Sequence, residues 1–192
     1  MNKQVAHRKS NSPNISPFIK SLLTSCFGLG YIPLASGTWG SLPPVIIFVR
    51  MSYCNQDSKT ISMTMLVLAI VGSIICIRFA PVAIRARGVK DPSEVVIDEF
   101  SGQSLTFIII GLIKTPYFFT VAIFGFLLFR FFDIFKPTLI RRLENLPRGW
   151  GILADDLAAG AYSAVILQFF YYIGLVGFID SRFSKFFVTS MR

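Results

Sequence analysis

Five stretches of this chain carry no charged side chain: residues 21–49, 60–77, 100–113, 115–129 and 157–179. No other feature constrains the fold as much, because runs this apolar must be buried in protein or in lipid. A membrane span needs roughly 20 mostly apolar residues. Residues 157–179 qualify by themselves, and 60–80 qualify with Arg78 snorkelling at one end. The run after Glu99 is shorter, but Asp91-Pro92-Ser93-Glu94 reads as a capping box with proline at the first helical position, predicting a helix over about 92–113. Lys114-Thr115-Pro116 breaks that helix, and another covers about 117–135. Ser41-Leu42-Pro43-Pro44 starts a short helix to about Tyr53. Ser16-Pro17 caps a short amphipathic helix within 17–31, read as interfacial or re-entrant because Gly28, Gly30 and Pro33 interrupt it. The expected fold is therefore all-α: a polytopic membrane helix bundle of about five membrane helices plus the N-terminal helix. Residues 1–16 are expected to form a polar tail, 17–179 a single membrane-embedded domain, and 180–192 a C-terminal tail.

Only 15% of the residues are charged against 53% hydrophobic. This excludes a disordered chain and argues against an ordinary soluble domain, where about 25% are charged. The net charge of +9 is concentrated in residues 3–20, 85–90 and 136–148, short segments that would all face the cytoplasm if the N-terminus lies inside. On this count Arg182, Lys185 and Arg192 fall outside, against the rule. Basic residues spread over loop edges leave no reason to invoke nucleic acid. Cys26, Cys54 and Cys76 have neither zinc nor disulfide spacing, and nothing resembles a signal peptide.

The same parity brings four polar segments to one face: Gly37-Thr38-Trp39-Gly40-Ser41, Asp98-Glu99, Asp133 and Asp155-Asp156. Half of the ten acids, namely Asp98, Glu99, Asp133, Asp155 and Asp156, thus abut apolar spans, where a carboxylate is expensive and tends to be functional or paired. Singly, each has a plain explanation. Asp155 and Asp156 suit a helix N-terminus, and Asp133 can pair with Arg130 or Lys136, each three residues away. Together, five like charges on one face need a cation, and an oxygen-rich donor set selects Mg²⁺ or Mn²⁺. The one histidine, His7, lies in the polar tail, which disfavours histidine-based zinc, Ser-His and phosphohistidine chemistry. Glu99 and Gln103 share a helix face, as do Asp156, Ala159, Gly160 and Ser163, whose small side chains permit close approach. Thr38, Ser41 and the Gly-rich backbone around them suit phosphate or metal. Arg130 and Lys136 suit an anionic headgroup, whereas Arg141 and Arg142 serve orientation equally well.

Four segments in order carry a family resemblance: Gly28-Leu29-Gly30 with Ala35 to Ser41; Asp98-Glu99-Phe100-Ser101-Gly102-Gln103; Phe129 to Pro137; and Gly151 to Gly160. Over about 26–165 the chain resembles phosphatidylglycerophosphatase A, a bacterial inner-membrane family. The resemblance implies Mg²⁺-dependent hydrolysis of phosphatidylglycerophosphate to phosphatidylglycerol and phosphate at the cytoplasmic face. It implies one or two Mg²⁺ on Asp98, Glu99, Asp133, Asp155 and Asp156, and an anionic phospholipid substrate met by Thr38, Ser41, Arg130 and Lys136. Ser36, Thr138 and Glu144 depart from the family pattern at turns and edges, and Ser41 replaces a usual threonine while keeping the hydroxyl. Two other classes remain open. A phosphoalcohol transferase would cluster its aspartates more densely, and a small cation transporter would place acids at mid-bilayer along a path.

Overall fold

The structure is a computed structural model that describes residues 16–89, 91–137 and 149–190. The N-terminal tail with His7, the Arg141 and Arg142 segment, Thr138, Glu144 and Arg192 lie outside the described residues. The described chain is all-helical, with no strands: α1 (Pro17–Thr24), a 3₁₀ turn at Leu29–Tyr31, α2 (Ser36–Tyr53), α3 (Ser58–Arg87), α4 (Ile97–Thr106), α5 (Ile108–Gly111), α6 (Phe118–Phe135), α7 (Gly149–Tyr172) and α8 (Leu175–Ser190).

Local chemistry sets several boundaries. Ser16 caps α1 by accepting from the Ile19 N–H at 3.3 Å, with Pro17 in the first turn. Asp57 caps α3 by accepting from the N–H groups of Lys59 and Thr60, and Gly88 ends it with a φ of +70°, the left-handed conformation that glycine adopts freely. At 1.5 Å per residue, the 30 residues of α3 extend about 45 Å, more than a bilayer core needs.

Among the described residues, three helices, α3, α6 and α7, are long and apolar enough to cross a membrane. The expected count of about five is not confirmed: α2 is not among these spans, and the helix expected over 92–113 departs from expectation in three ways. First, the helix expected from 92 starts at Ile97. Residues 94–96 instead pack against the chain after α1, where the Val96 N–H donates to the Thr24 carbonyl at 2.9 Å and Gly30 leaves room for the Glu94 carbonyl. Glu94 pairs with Arg87 at 2.6 Å rather than closing a capping box. Second, the helix is interrupted at Phe107. Third, α4 is polar yet enclosed. Ser101, Gln103, Ser104 and Thr106 are fully buried, and the Ser101, Ser104 and Thr106 hydroxyls donate to carbonyls four residues back. A helix of this kind is held inside the bundle by α2, α3 and α7 rather than by lipid.

Two other boundaries also move. The helix expected from Ser41 begins at Ser36, so the Gly-Thr-Trp-Gly-Ser segment forms the first turns of α2 and Pro43 and Pro44 lie inside it. These prolines supply no N–H for the carbonyls of Trp39 and Gly40. The apolar run 157–179 divides at Gly174 (φ +76°), and its helix begins earlier, at Gly149. Asp155 and Asp156 therefore sit in the second turn of α7, which excludes the reading as end caps.

A core of Phe48, Met65, Phe107, Ile110, Val121 and Leu167 fills the centre, with the Phe48 and Phe107 rings stacked at 4.5 Å. The outward faces of α3 (Met63, Val67, Ile70, Ile74) and α6 (Phe119, Ile123, Leu127, Phe131) expose large apolar side chains. Apolar surface this extensive is suited to lipid, not water.

Candidate active site

The site forms where α4, the end of α6 and the second turn of α7 meet the start of α2. Asp98 and Glu99 occupy the first turn of α4. Asp156 approaches from α7 because two glycines let the helix backbones touch: a Cβ at Gly160 would overlap the Gly102 carbonyl oxygen, and one at Gly102 would stand 2.6 Å from the Phe129 ring. One carboxylate oxygen each from Asp98, Glu99 and Asp156 then lie within 4.8 Å of one another.

Two of these carboxylates are buried and Glu99 is half-buried. Asp98 is 1% and Asp156 4% exposed, and Asp98 Oδ1 and Glu99 Oε2 have no hydrogen-bond partner among the described residues. Burial pushes the Asp98 carboxyl up to about 7. In Glu99, burial and then the charges of Asp98 and Asp133 raise the carboxyl well above its ordinary value. A cation bound here would offset the burial and mutual repulsion that raise the Asp98 and Glu99 carboxyls.

The other two predicted carboxylates are placed beside the trio and are paired. Asp133 Oδ2 lies 2.7 Å from Arg130 Nη1, one helical turn away on α6. Asp155 Oδ2 accepts from Lys136 Nζ at 2.6 Å. Lys136 ends α6 with a φ of +39°, a conformation that costs a non-glycine residue on the order of 1 kcal/mol and recurs where function requires it. Both predicted cations thus sit within the carboxylate cluster.

The α2 segment arrives in an unforeseen way. Gly37 is buried, and a Cβ there would overlap Glu99 Oε1 and stand 2.9 Å from Arg130 Nη1. Its hydrogen therefore faces the gap between a site carboxylate and a site guanidinium. Thr38 beside it is half-buried. Ser41 is fully buried and donates to the Gly37 carbonyl at 2.7 Å, so its O–H is engaged inside α2. Gln103, one turn after Glu99, is fully buried and neither atom of its amide has a partner among the described residues. Its four-residue spacing from Glu99 puts it on the same face of α4.

Gly37→Ala tests this contact. The atoms a methyl would meet are ends of flexible side chains, so the fold should tolerate it while Glu99 and Arg130 are displaced. We expect turnover to fall by about tenfold or more, with the melting temperature changed by only a few degrees. A wild-type rate would remove Gly37 from the site.

The family model for phosphatidylglycerophosphatase A matches residues 22–171. The chain belongs to the phosphatidylglycerophosphatase A family. It is 33% identical over 149 residues to phosphatidylglycerophosphatase A of Escherichia coli, covering 77% of this chain and 81% of that one. It is 35% identical over 147 residues to the Haemophilus influenzae protein of the same name, covering 76% and 85%. It is also 30% identical over 154 residues to a Bacteroides thetaiotaomicron protein provisionally named a phosphatidylinositol-3-phosphatase, covering 78% and 92%. No solved structure matches. Every site residue described above falls within the matched range, and membership of the family supports a phosphatase of phosphatidylglycerophosphate.

Proposed function

We propose that the chain hydrolyses phosphatidylglycerophosphate to phosphatidylglycerol and inorganic phosphate, dependent on Mg²⁺, at the cytoplasmic face of a bacterial inner membrane. The observation that carries the reading is the trio Asp98, Glu99 and Asp156, two buried carboxylates and one half-buried, with an oxygen of each within 4.8 Å beside the Arg130 guanidinium. Asp98 Oδ1 and Glu99 Oε2, without hydrogen-bond partners among the described residues, are hard oxygen donors of the kind Mg²⁺ takes. Asp133 and Asp155 extend the set to one or two ions. When bound, the ion supplies compensating charge, a template for phosphate oxygens and a lowered pKa for water.

The chain's own residues do the rest. Arg130, held by Asp133, and Lys136, held by Asp155, offer fixed positive charge to the equatorial phosphate oxygens, where charge gathers in the transition state. Gly37 lets α2 close against Glu99 and Arg130, because a Cβ there would overlap Glu99 Oε1. The reaction breaks the phosphorus–oxygen bond to glycerol and forms one to a water oxygen, whose proton balances the departing alkoxide. The basic segments 3–20, 85–90 and 136–148 support the cytoplasmic placement, and the acyl chains of the substrate give a reason for a site at the membrane.

The test is phosphate release by purified protein from phosphatidylglycerophosphate, phosphatidate and phosphatidylinositol 3-phosphate, with Mg²⁺ and with EDTA. We expect Mg²⁺-dependent release, fastest from phosphatidylglycerophosphate. Preference for phosphatidylinositol 3-phosphate would move the assignment toward the named activity of the Bacteroides relative. Undiminished release in EDTA would overturn the metal dependence.

A further inference from the structure

The carboxylate site accounts for the polar side of α2 and α4 but not for what lies one turn further on. A cavity of about 690 Å³ opens there between α2, α3, α4 and the end of α1 with the turn after it, with Pro43 and Ile47, Leu68 and Ile75, and Ile97 and Phe100 on its walls. Its volume falls in the range of ligand sites, and its lining is apolar. Val71, which also lines it, is 47% exposed and belongs to the outward apolar face of α3, so the mouth opens toward the lipid-facing surface.

We propose that this cavity holds one acyl chain of the phospholipid substrate while its phosphate lies at the carboxylates; the proposal rests on the lipid-phosphatase reading above. Three observations select that occupant. The same two helices build both sites: on α4, Ile97 and Phe100 face the cavity while their neighbours Asp98 and Glu99 enter the carboxylate cluster. On α2, Gly37 abuts Glu99 and Arg130, and Gly40 abuts Val96. Pro43 and Ile47 then line the cavity. Six residues of helix separate Gly37 from Pro43, a rise of about 9 Å, the scale of a phosphoglycerol unit between its phosphate and its first acyl methylenes. Finally, the mouth lies on the membrane side, so a chain can enter without leaving hydrocarbon.

Two measurements test it. The first uses phosphatidylglycerol carrying a diazirine within its acyl chain, in micelles with the wild-type protein, and so needs no turnover. Crosslinks should concentrate on Leu68 and Ile75. Equal labelling of the outward residues Val67, Ile74 and Ile123 would show bulk lipid contact and overturn the proposal. The second fills the cavity with Leu68→Trp and, separately, Ile47→Trp, and compares kcat/KM for phosphatidylglycerophosphate with long and with short acyl chains. The ratio of long to short should fall about tenfold or more. Val67→Trp on the outward face should leave it alone. An unchanged ratio in both cavity variants, or an equal fall for both chain lengths, would overturn the proposal. Wild-type protein that releases phosphate yet shows neither effect refutes the cavity assignment alone. Wild-type protein that releases phosphate from no lipid refutes the underlying reading together with it.

Discussion

Asp98→Ala and Asp156→Ala proteins that extract and fold like wild type should release phosphate about a thousandfold more slowly, with no recovery at raised Mg²⁺. Each substitution removes one oxygen from a set of three that lie within 4.8 Å. Loss of a cation that neutralises phosphate charge is worth several kcal/mol in the transition state, and about 4 kcal/mol is a thousandfold in rate. Stability should move the other way. Both carboxylates are almost fully buried beside like charges, so without metal the alanine proteins should resist heat at least as well as wild type. The pattern to look for is thus lost activity with retained or improved apo stability, and loss of the stabilisation that Mg²⁺ gives wild type. Wild-type-like turnover in both folded variants would sink the metal-site assignment. A control is Arg87→Ala. Its ion pair with Glu94 involves a largely exposed arginine, and exposed pairs contribute at most about 1 kcal/mol, so activity should be kept.

The acids were legible as a group because each abuts an apolar run, but parity over five spans does not account for their meeting, since three of the described helices are long and apolar enough to cross a membrane and α4 is enclosed by other helices. What parity could not supply is which acids stay together and which acquire partners. Asp133 pairing with Arg130 is local and followed from three-residue spacing. The Lys136–Asp155 pair crosses from the end of α6 to α7, so only tertiary structure reveals it. The start of α4 was misplaced because a capping pattern at Asp91–Glu94 is a local signal, whereas Val95 and Val96 are buried against the chain after α1 and that packing wins. The start of α2 was hidden for the opposite reason. Glycine disfavours helix by roughly 1 kcal/mol, so Gly37 and Gly40 read as a turn, yet a helix with no side chain at those positions is what lets α2 reach Glu99 and Val96. The charge-free run after Glu99 reads as part of a membrane helix despite its serines and threonines. Their hydroxyls bond within the helix, and other helices, not lipid, surround it.

Gly160→Val should do the most damage to the fold. Unlike the Gly37 methyl, which would meet movable side-chain ends, any Cβ at Gly160 meets backbone: the Gly102 carbonyl oxygen within overlap distance and its carbon at 3.0 Å. Neither helix can yield locally, since Gly102 in turn faces the Asp156 carbonyl and the buried Phe129 ring. The helices must separate, opening voids around Phe129, Ala159 and the second core cluster at Leu153, and buried side chains that lose their packing cost about 2–5 kcal/mol. That is a large part of the stability of a small domain. We expect Gly160→Val to be recovered in low yield or to melt at least about 5 °C lower. Any folded fraction should have weakened Mg²⁺ stabilisation, because Asp156 is carried away from Asp98 and Glu99. Gly160→Ala should show the same two effects in smaller degree. Its activity loss should track its melting temperature, since one contact sets both the α4–α7 spacing and the carboxylate geometry. A Gly160→Val protein with wild-type melting and turnover would show that α4 and α7 do not approach at Gly102, and the site built on that approach would have to be redrawn.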